Sequence, residues 1–232
     1  MKQVFKAVVL DLDDTLTVQN SLHELASECG VPQARFAAFM RAYRIRTVEP
    51  SEIAAELLSL LRSVHGRVPR QTMNKVFQSI EVRSEAWSLI AAIRIAGCTL
   101  GLISSSFDDY VAVMADRFGI EDRYSNIRTT FDADDELCRL DVTFDAARLK
   151  HSQLHDFCRR HGYHPTEMLV VGDNDNDLQM FACTGSGVLL SRPHNRGFRQ
   201  AAWQVVDTLD QVSPFVTARS ADRPESRCAP YG

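Results

Sequence analysis

A run of β-branched and apolar residues through positions 4–10, broken only by Lys6, stops abruptly at Asp11. Alternate side chains of a strand point to opposite faces, so a strand can be apolar at nearly every position only where both faces are covered. This one segment therefore asks for a sheet with helices above and below it, and for a polar site where the strand ends.

The rest of the chain supplies those layers. Short apolar runs recur at residues 98–103, 168–171 and 187–190, and between them lie segments of helical period at 84–97, 108–118, 146–161 and 177–183. Gly97, Gly119 and Gly162 stand where three of these helices should stop. Alternating strands and helices imply an α/β fold, a parallel sheet with helices on both faces. Residues 127–131 and 137–144 read as a hairpin around the acidic turn 132–136, which is expected to be a hairpin tip and not a metal site.

Residues 18–82 break the alternation. Ser21-Leu22-His23-Glu24 has capping-box spacing, and apolar residues recur at helical intervals through Phe36, Phe39, Met40 and Tyr43, then Ile53, Leu57 and Leu61, then Met73, Val76, Phe77 and Ile80. The expected organisation is an α/β core of residues 1–17 and 83–217 carrying a helical insert at 18–82. The segment 218–232 has no apolar period and is expected to be a disordered tail. At 232 residues the chain can hold a core and one smaller insert.

Composition narrows the function classes. A net charge of −4, with no concentrated basic face, argues against nucleic acid as partner. No stretch reaches the length of a membrane span, and the first ten residues are too short an apolar run for a signal segment. Six cysteines without a CxxC pair suit a reducing compartment and structural thiols, so a cytoplasmic location is expected. Nothing in the sequence specifies an oligomeric state.

In an open parallel sheet, ligands bind beyond the carboxyl ends of the strands. Asp11 and Asp13 follow the first strand, Ser104 the second, and Asp173, Asn176 and Asp177 follow the run 168–171, while Lys150 opens a later helix. Asp175 is expected to cap the helix beginning near Asp177. Carboxylates brought to one spot repel each other and need a cation, and oxygen-only ligands select a hard one, Mg²⁺ before Zn²⁺. A hydroxyl and an ammonium opposite that cation would spread charge over the oxygens of a phosphoryl group.

In this arrangement the chain resembles the haloacid dehalogenase-like (HAD) phosphohydrolases. Val8-Val9-Leu10-Asp11-Leu12-Asp13-Asp14-Thr15-Leu16 is similar to their first motif, Ile103-Ser104 to the second, Lys150 to the third, and Val171-Gly172-Asp173-Asn174-Asp175-Asn176-Asp177 to the fourth. The resemblance implies a Rossmann-like core, with the insert as a C1 helical cap. It implies Asp11 as nucleophile, Asp13 as general acid and base, and Ser104 and Lys150 as phosphate-side partners. It also implies Mg²⁺ held by Asp11, the Asp13 carbonyl and Asp173, with Thr15, Asn176 and Asp177 in support. Thr15 is expected to fix the motif loop and to meet phosphate through its backbone.

Within the family the likeness is to the phosphoserine-phosphatase-like branch. Its substrate-reading segment aligns with Asn20 to Ala26, and its Ser-Gly-Gly-Phe resembles Ser104-Ser105-Ser106-Phe107. Asn20, His23 and Ser105 are thus the candidate substrate contacts. Two departures bear on substrate: Asn20 replaces the branch's ammonium-binding Glu, and an ungapped reading sets Glu56 where the branch has a carboxylate-binding Arg. The implied activity is hydrolysis of a small phosphorylated metabolite other than phosphoserine. Phosphoryl transfer to an alcohol, as in a mutase, and a non-catalytic metal- and phosphate-binding sensor stand as alternatives.

Overall fold

The computed structural model describes residues 5–44, 52–143 and 145–217. In chain order the elements are β1 (Ala7–Leu10), α1 (Ser21–Glu28), α2 (Gln33–Arg44), α3 (Ile53–Arg62), α4 (Arg70–Ser79), α5 (Ser84–Ile95), β2 (Thr99–Ile103), α6 (Asp108–Phe118) and β3 (Asp122–Tyr124). They continue with β4 (Ile127–Phe131), β5 (Leu137–Val142), α7 (Ala146–His161), β6 (Met168–Gly172), α8 (Leu178–Thr184), β7 (Gly187–Leu190), β8 (Gln204–Val206) and α9 (Ser213–Thr217). The tail at 218–232 and Phe144, at the end of the second hairpin run, lie outside the described residues.

Six strands form one sheet in the order β3-β2-β1-β6-β7-β8, every pairing parallel. β1 lies between β2 and β6, so the chain leaves it in opposite directions on its two sides, and the switch point falls at Asp11. The apolar run works as expected: Val8 and Leu10 enter one core cluster while Ala7 and Val9 enter the other, on the opposite face. Leu154 and Phe157 of α7 and Met180 and Phe181 of α8 cover the second face. Fully burying each such side chain contributes about 1.5–3 kcal/mol. Gly119 and Gly162 end α6 and α7 in the left-handed region, at φ 62° and 68°.

Two strands, β3 and β8, carry no sequence signal of their own. Each is three residues long, and both sit at the sheet edges, where only one neighbour is needed. The hairpin β4-β5 forms separately and antiparallel; Asp132 Oδ1 accepts the amides of Asp134 and Glu136, so the acidic turn is a self-capped tip. Trp87, within the helical segment expected at 84–97, is 46% exposed and leans on Phe118 at 5.0 Å between ring centroids.

Helices α1 to α4 leave and rejoin the core at one place. Thr17 and Val82 form an antiparallel bridge, the Val18 amide donates to Glu81 O at 2.9 Å and the Arg83 amide to Leu16 O at 3.0 Å. The apolar cluster on this face is continuous from Leu12 and Leu16 through Leu25, Phe77, Phe107 and Tyr110. Phe77 meets Phe107 and Tyr110 at 5.6 and 5.4 Å. On the hairpin side, Pro69 bridges Glu136 and the Arg62 guanidinium donates to Leu137 O. No helix among the described residues is long and apolar enough to cross a membrane.

Candidate active site

After β1 the chain turns tightly. The Leu12 carbonyl accepts the amides of Thr15, Leu16 and Thr17 at 3.1, 2.8 and 3.1 Å, and Asp14 is driven to φ 61°, a conformation an L-residue adopts at a cost. Two arginines hold it there: the Asp14 carbonyl accepts from Arg83 at 3.3 Å and from Arg192 at 3.0 and 3.2 Å. The Thr15 amide is occupied inside this turn, and the side chain does the bridging instead. Thr15 Oγ1 donates to Asp173 Oδ1 at 2.9 Å and faces Asp11 Oδ2 at 3.5 Å, joining the ends of β1 and β6.

Lys150 enters from the second turn of α7. Its ammonium is 1% exposed and donates to Asp11 Oδ1 at 2.8 Å and Asp177 Oδ1 at 2.7 Å. Burial alone would lower its pKa; the two carboxylates reverse this and hold it above the ordinary lysine value. Asp177 Oδ2 accepts the amides of Asp173 and Asn174, both at 3.1 Å, so all of this carboxylate is committed to fixing Lys150 and the β6 loop. The approach requires glycine at 172, where an added Cβ would lie 2.3 Å from Asp177 Oδ2. The loop cap expected at Asp175 is made by Asn174, whose Oδ1 accepts the Asp175 amide at 2.9 Å, and α8 begins only at Leu178 after a 3₁₀ turn.

Asp11, Asp173 and Asp177 bring carboxylate oxygens within 4.8 Å of one another, all buried. Fully ionised, the three carboxylates would outweigh the one ammonium of Lys150 by two charges. The carboxyl of Asp11 is held well above its ordinary pKa, first by burial, with Asp177 and Asp173 adding and Lys150 opposing. Asp173 is raised for the same first reason, opposed by the His194 ring, whose Nε2 lies 3.3 Å from Asp173 Oδ2. That oxygen is buried and makes no well-formed hydrogen bond. A buried, under-coordinated carboxylate oxygen beside two further buried carboxyls fits a hard divalent cation, which would favour the ionised form of all three.

Asp13 lines the same cavity but is not one of these clustered carboxylates. Ser21, the first residue of α1, gives it the amide at 2.8 Å and the hydroxyl at 2.7 Å, and the same hydroxyl meets Ser106 Oγ. Burial pushes the Asp13 carboxyl up to about 6 even though Ser21 pulls it down. A group titrating there exchanges a proton near neutral pH, as a general acid or base must.

Ser104 is buried at the end of β2 and accepts the Ser106 amide at 3.3 Å, while Asn176 Nδ2 donates to Ser105 Oγ at 3.0 Å. Together with Asp11, Asp13, Lys150 and Asp173 they line a cavity of about 500 Å³. Asn20 is also in its wall, but its side chain is spent capping α1 by accepting the His23 amide at 3.3 Å and donating to Asp14 Oδ2 at 3.3 Å. The cap residue is therefore Asn20 and not Ser21. His23 does not line the cavity; it faces outward with its ring against Phe36, 5.5 Å between centroids. Glu56 is likewise exposed and outside it, the lining from α3 being Ile53 and Leu57.

Several residues of the site carried no motif. Ser21 reaches it from the start of α1, Arg83 from the residue before α5, and Arg192 and His194 from the segment after β7, where fully buried Asn195 donates to the carbonyls of Asp173 at 2.7 Å and Leu190 at 2.8 Å. Only Ser21, lying inside the segment aligned with the substrate-reading stretch, could have been suspected.

Residues 5–185 match the description of the haloacid dehalogenase-like hydrolases. This chain belongs to that family. Among its relatives, the phosphoserine phosphatase of Albidiferax ferrireducens is 27% identical over 195 residues, 79% of this chain and 78% of the relative. That of Streptococcus thermophilus is 26% identical over 223 residues, 91% and 99% of the two chains. These HAD relatives set the chain in the phosphoserine-phosphatase-like branch. A phosphoserine phosphatase solved as an analogue of its phospho-aspartyl intermediate superposes with a TM-score of 0.74 at 21% identity, covering 92% of this chain and 98% of that one, a likeness of fold.

Proposed function

We propose that this chain is a Mg²⁺-dependent phosphomonoester hydrolase that passes the phosphoryl group of a small metabolite through Asp11. The observation that carries the reading is the convergence of Asp11, Asp173 and Lys150 beyond the switch point of the sheet, beside a second carboxyl, Asp13, that titrates near 6. In this scheme the ionised Asp11 attacks phosphorus, and the bond to the leaving oxygen breaks as Asp13 delivers its proton there. Asp13, now ionised, takes a proton from the water that attacks the aspartyl-phosphate, releasing phosphate and restoring Asp11. Lys150 orients Asp11 and offsets charge, and Ser104 supplies a hydroxyl toward the phosphoryl oxygens.

Asp11 and Asp173, with the Asp13 carbonyl, would hold Mg²⁺, which when bound supplies charge neutralisation at the phosphoryl oxygens. Asp177 supports the site through Lys150, and Asn176 through Ser105. Residues 18–82 serve as the cap over the core formed by 1–17 and 83–217; the adjacent entry and exit at Thr17 and Val82 support a hinge there. The chemistry and the small cofactor fit a cytoplasmic metabolic enzyme.

For the substrate, the described residues on the cap side of the cavity are Leu22, Phe39, Met40, Ile53 and Leu57, with Asn20 and Tyr43 as the polar members. That wall supports a phosphomonoester whose organic part is largely apolar, in preference to the doubly charged serine moiety. The test is phosphate release from a panel of phosphomonoesters with and without Mg²⁺. The expected result is Mg²⁺-dependent turnover that Asp11→Asn abolishes, with a higher kcat/KM for apolar esters than for phosphoserine. Equal activity of wild type and Asp11→Asn would remove the proposal, and an isomerised or transphosphorylated product with little free phosphate would replace hydrolysis by transfer.

A further inference from the structure

A second cluster of ligand-type side chains lies outside the cavity. His151 and His155 stand one helical turn apart on α7, and Cys183 faces them from α8. His155 Nε2 lies 3.2 Å from His151 Nε2 and 3.4 Å from Cys183 Sγ, and one donor atom from each residue falls within 4.8 Å of the others. None of the three lines the active-site cavity.

We propose that these residues form a binding site for a borderline transition-metal ion, with Zn²⁺ as the expected occupant. The donor chemistry excludes the hard cation of the acidic cluster: two imidazoles and a thiolate select Zn²⁺ and its neighbours over Mg²⁺. The spacing also fits. With Zn–N near 2.0–2.1 Å and Zn–S near 2.3 Å, tetrahedral ligands stand roughly 3.3 Å apart for N and N and roughly 3.6 Å for N and S. The observed separations of 3.2 and 3.4 Å are close to two edges of that tetrahedron. Histidines at i and i+4 on a helix present both rings to one ion, a spacing zinc sites use repeatedly. Both histidines are partly exposed and Cys183 is buried, so the ion has a path from solvent, and water can take the fourth position.

On binding, the Cys183 thiol gives its proton to solvent and the thiolate takes up the metal, with no change of oxidation state. The site ties α7 to α8. Lys150 immediately precedes His151 on α7, and α8 starts directly after Asp177, so the ion would brace α7, which carries Lys150, against the helix that follows its ion-pair partner Asp177.

Co²⁺ is the probe, because a thiolate ligand gives a near-ultraviolet charge-transfer band that carboxylate ligands do not. The full-length protein in excess Mg²⁺ is titrated with Co²⁺ and then competed with Zn²⁺. The expected result is one equivalent of thiolate-ligated Co²⁺, displaced by Zn²⁺. Cys183→Ser should abolish the band, and His151→Ala or His155→Ala should weaken binding roughly a hundredfold, at least what loss of an outer-shell partner costs. If Cys183→Ser does not fold, the two histidine variants at partly exposed positions decide. No thiolate band in the wild type, or a band of unchanged affinity in both histidine variants, overturns the proposal.

Discussion

Ser21 donates both its amide and its hydroxyl to the carboxylate of Asp13, at 2.8 and 2.7 Å, tying the first helix after β1 to the proposed acid–base group. Donation to the ionised form lowers a carboxyl pKa, so these bonds hold Asp13 below where burial alone would set it.

Removing the hydroxyl should therefore raise the Asp13 pKa. In Ser21→Ala the alkaline limb of kcat/KM, which reports loss of the proton needed by the leaving group, should move to higher pH by about half to one unit. The measurement is a pH profile with an alkyl phosphate, whose poor leaving group makes protonation matter. A limb that stays put or moves down would detach Asp13 from proton transfer.

Mg²⁺ should stabilise the folded chain as well as activate it. At 100 times its Kd, a ligand of the native state adds about 2.7 kcal/mol, which for a chain of this size is roughly 5–11 °C in Tm. The folded pKa values of Asp11 and Asp173 are raised, so without a cation these groups take up protons on folding. Their contribution to metal-free stability thus falls as pH rises from the unfolded carboxyl value, near 4, through the raised folded values. Protons compete with the cation, so the Tm gain from Mg²⁺ should shrink as pH is lowered from 8 to 5. Thermal scans with Mg²⁺ or chelator check this, and a gain in Asp173→Asn equal to wild type would contradict it.

Gly172→Ala should disable the site without touching a proposed reacting group. The new Cβ would sit 2.3 Å from Asp177 Oδ2 and 2.4 Å from its Cγ, so the carboxylate must leave the amides of Asp173 and Asn174 and shift Lys150. Overpacking of this kind costs about 1–3 kcal/mol, and misplacement of about 1 Å at a catalytic group costs on the order of a hundredfold in rate. Gly197→Ala, where nothing lies within 4 Å of an added Cβ, is the control and should change stability by less than about 0.5 kcal/mol. Chemical denaturation and kcat measured together separate the two.

Phe39→Ala should weaken binding of apolar phosphomonoesters. Phe39 lines the cavity from α2 and is partly exposed, so truncation removes contact area with little disturbance of the core. The expected effect is a rise in KM of roughly tenfold with kcat nearly unchanged, the size of the loss of about one methylene-scale contact. Inhibition by inorganic phosphate should be unaltered. A fall in kcat at constant KM would contradict a substrate-reading role.

The fold was legible where local physics and tertiary need agree. The apolar run ending at Asp11, the glycines at 119 and 162, and the hairpin around its acidic turn are each written in a few neighbouring residues. β3 and β8 were not, because three residues at a sheet edge need no apolar pattern to pair on one side. At the site, Asp11, Ser104, Lys150 and Asp173 could be read because each stands at the end of a strand or the start of a helix. Arg83, Arg192 and Asn195 could not, since their task is to satisfy the backbone carbonyls of Asp14 and Asp173, and which carbonyls need a donor emerges only in the folded chain. His23 shows the converse: alignment suggested a substrate contact and set Glu56 at the place of the branch's arginine, while helical phase turns both side chains outward.

If Asp11 carries the phosphoryl group, the aspartyl-phosphate can be trapped on it. Asp13→Asn, which retains Asp11 but lacks the base for the second half-reaction, is mixed with a good-leaving-group aryl phosphate and Mg²⁺, quenched in acid and mapped by mass spectrometry. A phosphoryl group is expected on the peptide bearing Asp11, absent without Mg²⁺ and absent in Asp11→Asn. A wild-type enzyme that turns over while the label appears on another residue, or the same label appearing in Asp11→Asn, would contradict it.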